Sequence, residues 1–158
     1  PGSTIGNFEK KDAIQFLRNL KLKYNPKKII IGVDLIKKKS VLLKAYNDKK
    51  GITAKFNINL LNRINKELNA NFDIKLFKHS AIYNKSKNRI EMHLISLKNQ
   101  KVKVQNKTFN FKKGETIHTE SSHKYSPKSF SQLVNKSGWK VKKIWTDLNR
   151  QFSIQYLI

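Results

Sequence analysis

The sequence contains no cysteine and only 10 acidic residues, against 34 lysines and arginines. Without thiols, the chain can form no disulfide and can offer a metal no thiolate ligand. No apolar run approaches the roughly 20 residues that a membrane-spanning helix needs, and no leader segment is recognisable. With 38% hydrophobic residues, these absences predict a folded cytoplasmic protein stabilised by an apolar core.

The formal net charge of +24 is extreme for 158 residues. Such a charge indicates affinity for polyanions, so a basic nucleic-acid-binding module is one interpretation of the chain. However, most of the basic residues are lysines, and asparagine and isoleucine are also abundant, a composition typical of A/T-rich genomes. Lysines are scattered along the chain, in predicted helices and strands alike, whereas a nucleic-acid-binding module gathers its positive charge on one face. This scatter favours an enzyme, with no membrane partner, and leaves the binding module as the alternative.

The two ends of the chain have the periodicity of an α/β fold. Apolar residues at helical spacing predict a helix over residues 9–24, ended by Asn25 and Pro26. The uninterrupted apolar run at residues 29–31 predicts a strand covered on both faces, as in a parallel sheet. Near the other end, a helix is predicted to begin after Ser126 and stop at Gly138, and two strands complete the chain.

The middle of the chain shows a different pattern. Two helices are predicted on either side of Gly51, and the second carries an apolar stripe every four residues, which we interpret as facing the core. This stripe consists of Phe56, Leu60, Ile64 and Leu68. From residue 77 to about residue 125, apolar and polar residues alternate, which predicts half-buried antiparallel strands.

The change of periodicity predicts three parts. Residues 1–39 belong to an α/β core, residues 40–125 form an inserted α+β lobe, and residues 126–158 return to the core with a helix and the last two strands. The two core parts are expected to share one sheet. The lobe is expected to lie over the carboxyl edge of that sheet as a substrate lid.

Several catalytic motifs are missing from the sequence. It has no GxxxxGK[ST] loop and no GxGxxG, and its four histidines lack the paired spacing of metal ligands on a helix. No serine, histidine and acid can be assigned as a nucleophilic triad from their spacing. We therefore predict neither a metal nor a covalent nucleophile.

Five segments, taken in order, carry a resemblance to a known family: "PGSTIGN", "GVDLIKKKSVLLKAYNDKKGITAKFNINLLNRINKEL", "FDIKLFKHSAIYNKSKNRIEMHL", "GETIHTESSHKY" and "WTD". Together they resemble the histidine-specific S-adenosylmethionine-dependent methyltransferases of ergothioneine biosynthesis. The resemblance runs over nearly all of the chain but covers only the second half of that family's catalytic unit. It implies the second half of a Rossmann-like methyltransferase sheet with an inserted substrate-binding lobe.

The resemblance also implies chemistry. The complete enzyme would transfer methyl groups from S-adenosylmethionine to the α-amino group of L-histidine, and would be a monomer. The missing amino-terminal half, with its glycine-rich cofactor loop, would be the partner of this chain. Other amino acids as substrate, and a natural split, a proteolytic product or a truncated chain as origin, remain open alternatives.

Three residues would hold the cofactor and the amino acid end of the substrate. The resemblance implies that the backbone at Gly2 approaches the cofactor, since glycine has no side chain to obstruct it. It also implies that Asn7 binds the amino acid end of histidine and that Tyr46 binds its carboxylate. As ordinary structural residues, Asn7 would be a turn residue and Tyr46 a helical aromatic.

Three further residues would hold the imidazole ring. The resemblance implies that Met92 lines the ring pocket and that Glu120 and Ser122 form hydrogen bonds with the ring. A carboxylate and a hydroxyl at the two ring nitrogens would recognise both polar edges of an imidazole. The alternatives are a core methionine and a solvated strand end. Methyl transfer to an amine needs positioning more than acid or base groups, so no catalytic residue is predicted.

Overall fold

Four α-helices and eight strands make up most of residues 2–158, the part of the chain that the computed structural model describes. Two short 3₁₀ helices cover Ser3–Asn7 and Ile74–Leu76. The helices are α1 (Lys10–Tyr24), α2 (Lys39–Tyr46), α3 (Ile52–Leu68) and α4 (Pro127–Lys136). The strands are β1 (Ile29–Asp34), β2 (Phe77–Asn84), β3 (Arg89–Ser96), β4 (Gln100–Val104), β5 (Lys107–Phe111), β6 (Thr116–His123), β7 (Val141–Thr146) and β8 (Phe152–Leu157).

Contacts between these elements divide the chain into two units. The core unit contains residues 2–38, 84–89 and 121–158, and the lobe unit contains residues 39–83 and 90–120. Pro1, the first letter of the "PGSTIGN" segment, lies outside the described residues. No helix within residues 2–158 is long and apolar enough to cross a membrane.

The core unit is built on a three-stranded sheet in the order β1-β8-β7. Strand β1 pairs antiparallel with β8, placing Ile31 opposite Gln155, and β7 pairs antiparallel with the other edge of β8. The prediction that residues 29–34 share a sheet with the last two strands is therefore confirmed. The α/β class is confirmed as well, because helices α1 and α4 pack in the same unit.

The prediction of a strand covered on both faces in a parallel sheet is wrong for β1. Its partner β8 is antiparallel, and burial alternates along the strand: Ile31 is fully buried, whereas Ile30 is 60% exposed. Identical isoleucines at residues 29–31 conceal this alternation in the sequence. Within residues 2–158, one face of β1 is covered and the other is open.

The covered face of the core sheet packs against α1 and α4. Their buried side chains form one apolar cluster with the inward side chains of β1 and with Leu157. Trp139 is almost fully buried there, and its indole Nε1 donates a hydrogen bond of 2.9 Å to the carbonyl of Leu17. This bond satisfies the one polar atom of the indole inside the apolar cluster.

The predicted ends of both core helices are confirmed. Asn25 has φ 42° and ends α1 in the left-handed region, where asparagine is tolerated. Ser126 caps α4 in a reciprocal capping box with Ser129, and Gly138 follows the helix with φ 84°. These signals lie within a few residues of each helix end, so they can be recognised in the sequence.

The lobe unit contains most of a sheet in the order β2-β3-β6, the hairpin β4-β5, and helices α2 and α3. The alternating pattern correctly predicts strands here, but it wrongly predicts that β3 is half-buried. Glu91 is only 8% exposed. On the same strand the His93 ring stacks on the ring of His118 in β6, with centroids 4.9 Å apart, so the face with polar residues is covered as well.

The predicted apolar stripe of α3 does not face the core. Phe56 is 67% exposed and Leu60 is 37% exposed, whereas Asn57 and Leu61 are buried. The buried face is thus rotated by about one residue from the stripe, because Leu61 packs with Phe77 and Leu94 of the sheet. The exposed stripe needs another explanation.

Residues 84–89 and 121–125, which the sequence assigns to the inserted lobe, belong to the core unit. Arg89 forms an ion pair with Glu9, and the ammonium of Lys124 lies 2.7 Å from the carboxylate of Asp34. Tyr125 is buried in the apolar cluster of the core unit. The predicted roles of the three ranges, and the lid over the sheet edge, stay predictions.

The two glycines of the first 3₁₀ helix and its cap give a stability prediction. A Cβ at Gly6 would lie 2.9 Å from the backbone oxygen of His123, whereas a Cβ at Gly2 would meet nothing within 4 Å. Gly6→Ala should therefore lower the free energy of unfolding by about 1–3 kcal/mol, as overpacking does. Gly2→Ala is the matched control and should change it little. Equal urea midpoints for the two variants would contradict the packing of Gly6.

Candidate functional site

The exposed stripe of α3 borders a cavity inside the lobe unit. The cavity has a volume of about 170 Å³ and is formed by α3, β3 and β6. Two residues predicted to bind the imidazole ring, Met92 and Glu120, both line it. The other lining residues are Phe56, Asn57, Asn59, Leu60, Arg63 and Thr119.

The walls of this cavity combine apolar surface with a few polar groups. Phe56, Leu60 and Met92 supply the apolar part, and Glu120 supplies a carboxylate that is half-buried. The hydroxyl of Thr119 donates a hydrogen bond of 3.0 Å to the carbonyl of Met92, which ties β6 to β3 at this point. Small-molecule sites have this composition, since apolar walls hold the body of a ligand and polar groups orient it.

Tyr46, the predicted carboxylate ligand, ends α2 in the lobe unit. It is half-buried and packs against the apolar cluster that contains Leu42, Ala81, Ile90 and Met92. The backbone carbonyl of Tyr46 accepts a hydrogen bond of 2.9 Å from Nε2 of His79. The structure therefore brings Tyr46 and Met92 into one cluster, and Met92 and Glu120 into one cavity.

The two residues after Tyr46 fix the end of α2 and the start of α3. The side-chain amide of Asn47 donates to the carbonyl of Ala81 at 3.0 Å and accepts from its N–H at 3.1 Å. The carboxylate of Asp48 accepts hydrogen bonds from the backbone N–H groups of Ile52 and Thr53, which open α3. These hydrogen bonds, first that from Thr53 and then that from Ile52, lower the pKa of Asp48 to about 2.

The remaining three predicted residues belong to the core unit. Gly2 precedes the 3₁₀ helix Ser3–Asn7 with open space around the position of a Cβ, and Asn7 ends that helix with its side chain exposed. Ser122 is only 6% exposed, and its hydroxyl accepts a hydrogen bond of 2.8 Å from the ammonium of Lys124. The roles assigned to these residues stay predictions.

Lys124 carries a buried charge that sequence reasoning missed. Its side chain is 1% exposed and pairs with Asp34 at 2.7 Å, and Asp34 also pairs with Lys37 at 2.5 Å. A buried ammonium is costly unless it is paired, so Asp34 compensates a charge that would otherwise destabilise the fold. The available signal was Asp34 itself, an acid placed directly after an apolar run.

Two histidines, His93 and His123, are largely shielded from solvent. Burial lowers the pKa of His93 and of His123, so both rings are neutral near pH 7. His93 stacks on His118 instead of converging with it. Across residues 2–158, no group of three or more histidine, aspartate and glutamate side chains is arranged to hold a metal ion.

The comparisons with known proteins indicate one family. The family described as "Histidine-specific methyltransferase, SAM-dependent" matches residues 1–158. The chain is 38% identical over 156 residues to "Histidine N-alpha-methyltransferase" of Mycobacterium tuberculosis (strain CDC 1551 / Oshkosh), covering 97% of this chain and 49% of that relative. It is 35% identical over 160 residues to the protein of the same name in Mycolicibacterium smegmatis, covering 99% and 50%.

A more distant relative is "Ergothioneine biosynthesis protein 1" of Schizosaccharomyces pombe, 29% identical over 143 residues that cover 89% of this chain and 18% of that protein. The fold and the cavity define an α/β protein with a small pocket of mixed polarity. The match over the whole chain is more specific: this chain belongs to the family of S-adenosylmethionine-dependent histidine-specific methyltransferases. It spans about half the length of the two mycobacterial relatives.

Asp48 gives a prediction about acid stability. Because its folded pKa of about 2 lies below that of a free aspartate, its contribution is present above about pH 4 and is lost as pH falls towards 2. In that window, the protection of the Ile52 and Thr53 amides against exchange, measured relative to the intrinsic rate at each pH, should fall in the unchanged chain. Asp48→Asn should raise exchange at these two amides at neutral pH and should flatten its dependence on acid. Equal acid dependence in both proteins would contradict a capping role.

Proposed function

We propose that this chain is the substrate-holding part of an S-adenosylmethionine-dependent histidine Nα-methyltransferase. The observation that carries the proposal is the cavity in which Met92 and Glu120 are neighbours, in a chain that matches the family over its whole length. The substrate is free L-histidine, and the position that is methylated is its α-amino group. The names of the two mycobacterial relatives support this choice of substrate.

The cavity of the lobe unit suits an imidazole ring. Phe56, Leu60 and Met92 offer apolar contact to the ring faces, and the carboxylate of Glu120 accepts a hydrogen bond from a ring N–H. Ser122, on the same strand as Glu120, serves the second ring nitrogen through its hydroxyl. A site with defined polar partners discriminates against ligands that lack the matching groups, because those partners would be left unsatisfied.

The amino acid end of the substrate is bound by other residues. Tyr46 donates its phenol hydrogen to the substrate carboxylate, and Asn7 binds the amino acid end through its amide. S-adenosylmethionine supplies an electrophilic methyl group, and the open space at Gly2 suits the approach of such a cofactor to the backbone. The protein residues align a neutral amine with that methyl group, so positioning provides most of the acceleration.

The core sheet has surface that a second half of the enzyme would cover. Its β1 edge has no strand partner within residues 2–158, and one sheet face exposes Ile30, Trp145, Phe152 and Ile154. Large apolar side chains gathered on one exposed face are characteristic of a surface that is covered by another part of a protein, so this face fits further structure. The relatives are about twice as long as this chain, which supports a partner half that holds the glycine-rich cofactor loop. We call this chain together with that half the complete enzyme.

The role of Glu120 can be tested by substrate titration of the complete enzyme. Glu120→Ala removes a charge-assisted hydrogen bond worth about 1.5–3 kcal/mol. The affinity for L-histidine should therefore fall roughly ten- to a hundredfold. Glu120→Gln should lose less, because its amide oxygen still accepts a hydrogen bond.

Glu115→Ala is the matched control for the loss of one acid, since Glu115 is exposed and accepts a hydrogen bond from the backbone of Lys112 outside the cavity. It should leave L-histidine affinity unchanged. Thermal melts of each variant separate binding from folding. Unchanged L-histidine affinity in Glu120→Ala with an unchanged melt would make Glu120 a solvated strand residue and would remove the main support of the proposal.

Cofactor binding provides a second test. The 158-residue chain alone should bind S-adenosylmethionine weakly or not at all by calorimetry, because the cofactor loop belongs to the other half. The complete enzyme should bind it, and Gly2→Ala should weaken that binding without shifting the melt. Tight binding of S-adenosylmethionine by the chain alone would show that the other half is not needed for the cofactor.

A further inference from the structure

We propose that Asn57 and His79 form a positioning pair that sets the orientation of Tyr46 for binding the substrate carboxylate. This inference rests on the proposed function of Tyr46 and adds two residues to it. The resemblance assigns a binding role to neither residue. Both are positioning residues, because they act through Tyr46.

The pair belongs to a continuous series of hydrogen bonds that joins three elements of the lobe unit. Nδ2 of Asn57, in α3, lies 2.9 Å from Nδ1 of His79, in β2. The other ring nitrogen of His79 lies 2.9 Å from the carbonyl oxygen of Tyr46, at the end of α2. Asn57 is 3% exposed and His79 is 9% exposed, so water offers little competition for these bonds.

The donor and the acceptor of each hydrogen bond in this series follow from the chemistry of the groups. A carbonyl can only accept, so Nε2 of His79 carries the hydrogen that is donated to Tyr46. In the neutral ring, Nδ1 must then accept, and the amide nitrogen of Asn57 donates to it. The second amide hydrogen of Asn57 is donated to the carbonyl of His93 at 3.2 Å.

The His93 carbonyl therefore selects the tautomer of His79. If the Asn57 amide were reversed, its oxygen would face the carbonyl oxygen of His93, and two acceptors would repel each other. With the amide nitrogen in place, His79 is held as the Nε2–H form. Only that form donates to Tyr46, so the orientation of one amide in α3 decides whether the hydrogen bond from His79 to the end of α2 can form.

Asn57 also lines the cavity that contains Met92 and Glu120. The pair thus connects the proposed ring pocket to the residue proposed for the substrate carboxylate. Asn47 adds a second attachment, through two hydrogen bonds with the backbone of Ala81, two residues along β2 from His79. With both attachments in place, the backbone at Tyr46 is fixed and its side chain has less freedom to lose on binding.

The hydrogen-bond pair itself is tested in the 158-residue chain by nitrogen-15 NMR of the histidine rings. In the unchanged chain His79 should carry its hydrogen on Nε2, with Nδ1 unprotonated. Asn57→Asp has the same shape but presents an acceptor to Nδ1, so His79 should acquire a hydrogen on Nδ1. A neutral Nδ1–H form in the unchanged chain would overturn the proposal, whatever the substrate.

The effect on binding is tested in the complete enzyme with L-histidine and with histamine, which has the ring and the amine but no carboxylate. His79→Leu should weaken L-histidine binding about five- to tenfold, the loss expected for one hydrogen bond. Histamine binding should change little. His79→Gln should restore most of the affinity, since its amide can accept from Asn57 and donate to Tyr46.

A double-mutant cycle with Tyr46→Phe distinguishes positioning from a general structural role. If His79 acts through the Tyr46 hydroxyl, adding His79→Leu to Tyr46→Phe should cost little further affinity for L-histidine. Losses that multiply, or an equal loss of histamine binding, would overturn the proposal. If the unchanged complete enzyme binds no L-histidine, the proposed function fails instead, and the NMR result still decides whether the pair exists.

Discussion

The lobe unit depends on the hydrogen bonds that attach the end of α2 to β2. Strand β2 lies at the edge of the order β2-β3-β6, so the outer backbone groups of Ala81 have no strand partner within residues 2–158. The side chain of Asn47 satisfies both of them, as a neighbouring strand would. Because Asp48 then opens α3, the position of the next helix follows from the same turn. Because α3 forms one wall of the cavity, this turn contributes to the position of that wall.

Most of the fold could be predicted because its signals are local. A capping serine, a left-handed asparagine and a glycine after a helix each act within a few residues, and they mark the end of α1 and both ends of α4. The wrong predictions concern which face of a strand or helix is buried. The isoleucines of β1 have one residue type on both faces, so composition could not show that Ile30 is exposed and Ile31 buried. Similarly, nothing local shows that β8 is antiparallel to β1.

The candidate site was predictable only in part, for a related reason. The sequence identified Met92 and Glu120 through a resemblance, and the structure places both on one cavity. The sequence also showed the stripe that contains Phe56 and Leu60. Periodicity indicates that a helix face is apolar, but it does not indicate what covers that face. The sequence assigned no role to Asn57 or His79, since each is an ordinary polar residue whose partner lies 22 or more residues away. Long-range pairings of this kind become visible only when the fold is known.

Acidic residues are scarce in this chain, so the position of each one, including Glu120, is informative. In a chain with 34 basic residues and 10 acids, most of the carboxylates have a defined structural task, either in an ion pair or as an acceptor for backbone N–H groups. These acids are Glu9, Asp34, Asp48, Glu67, Asp73, Glu115 and Asp147. Glu120 lines a cavity together with Phe56 and Met92. A carboxylate at a cavity wall can accept hydrogen bonds, so Glu120 is suited to a ligand with a ring N–H.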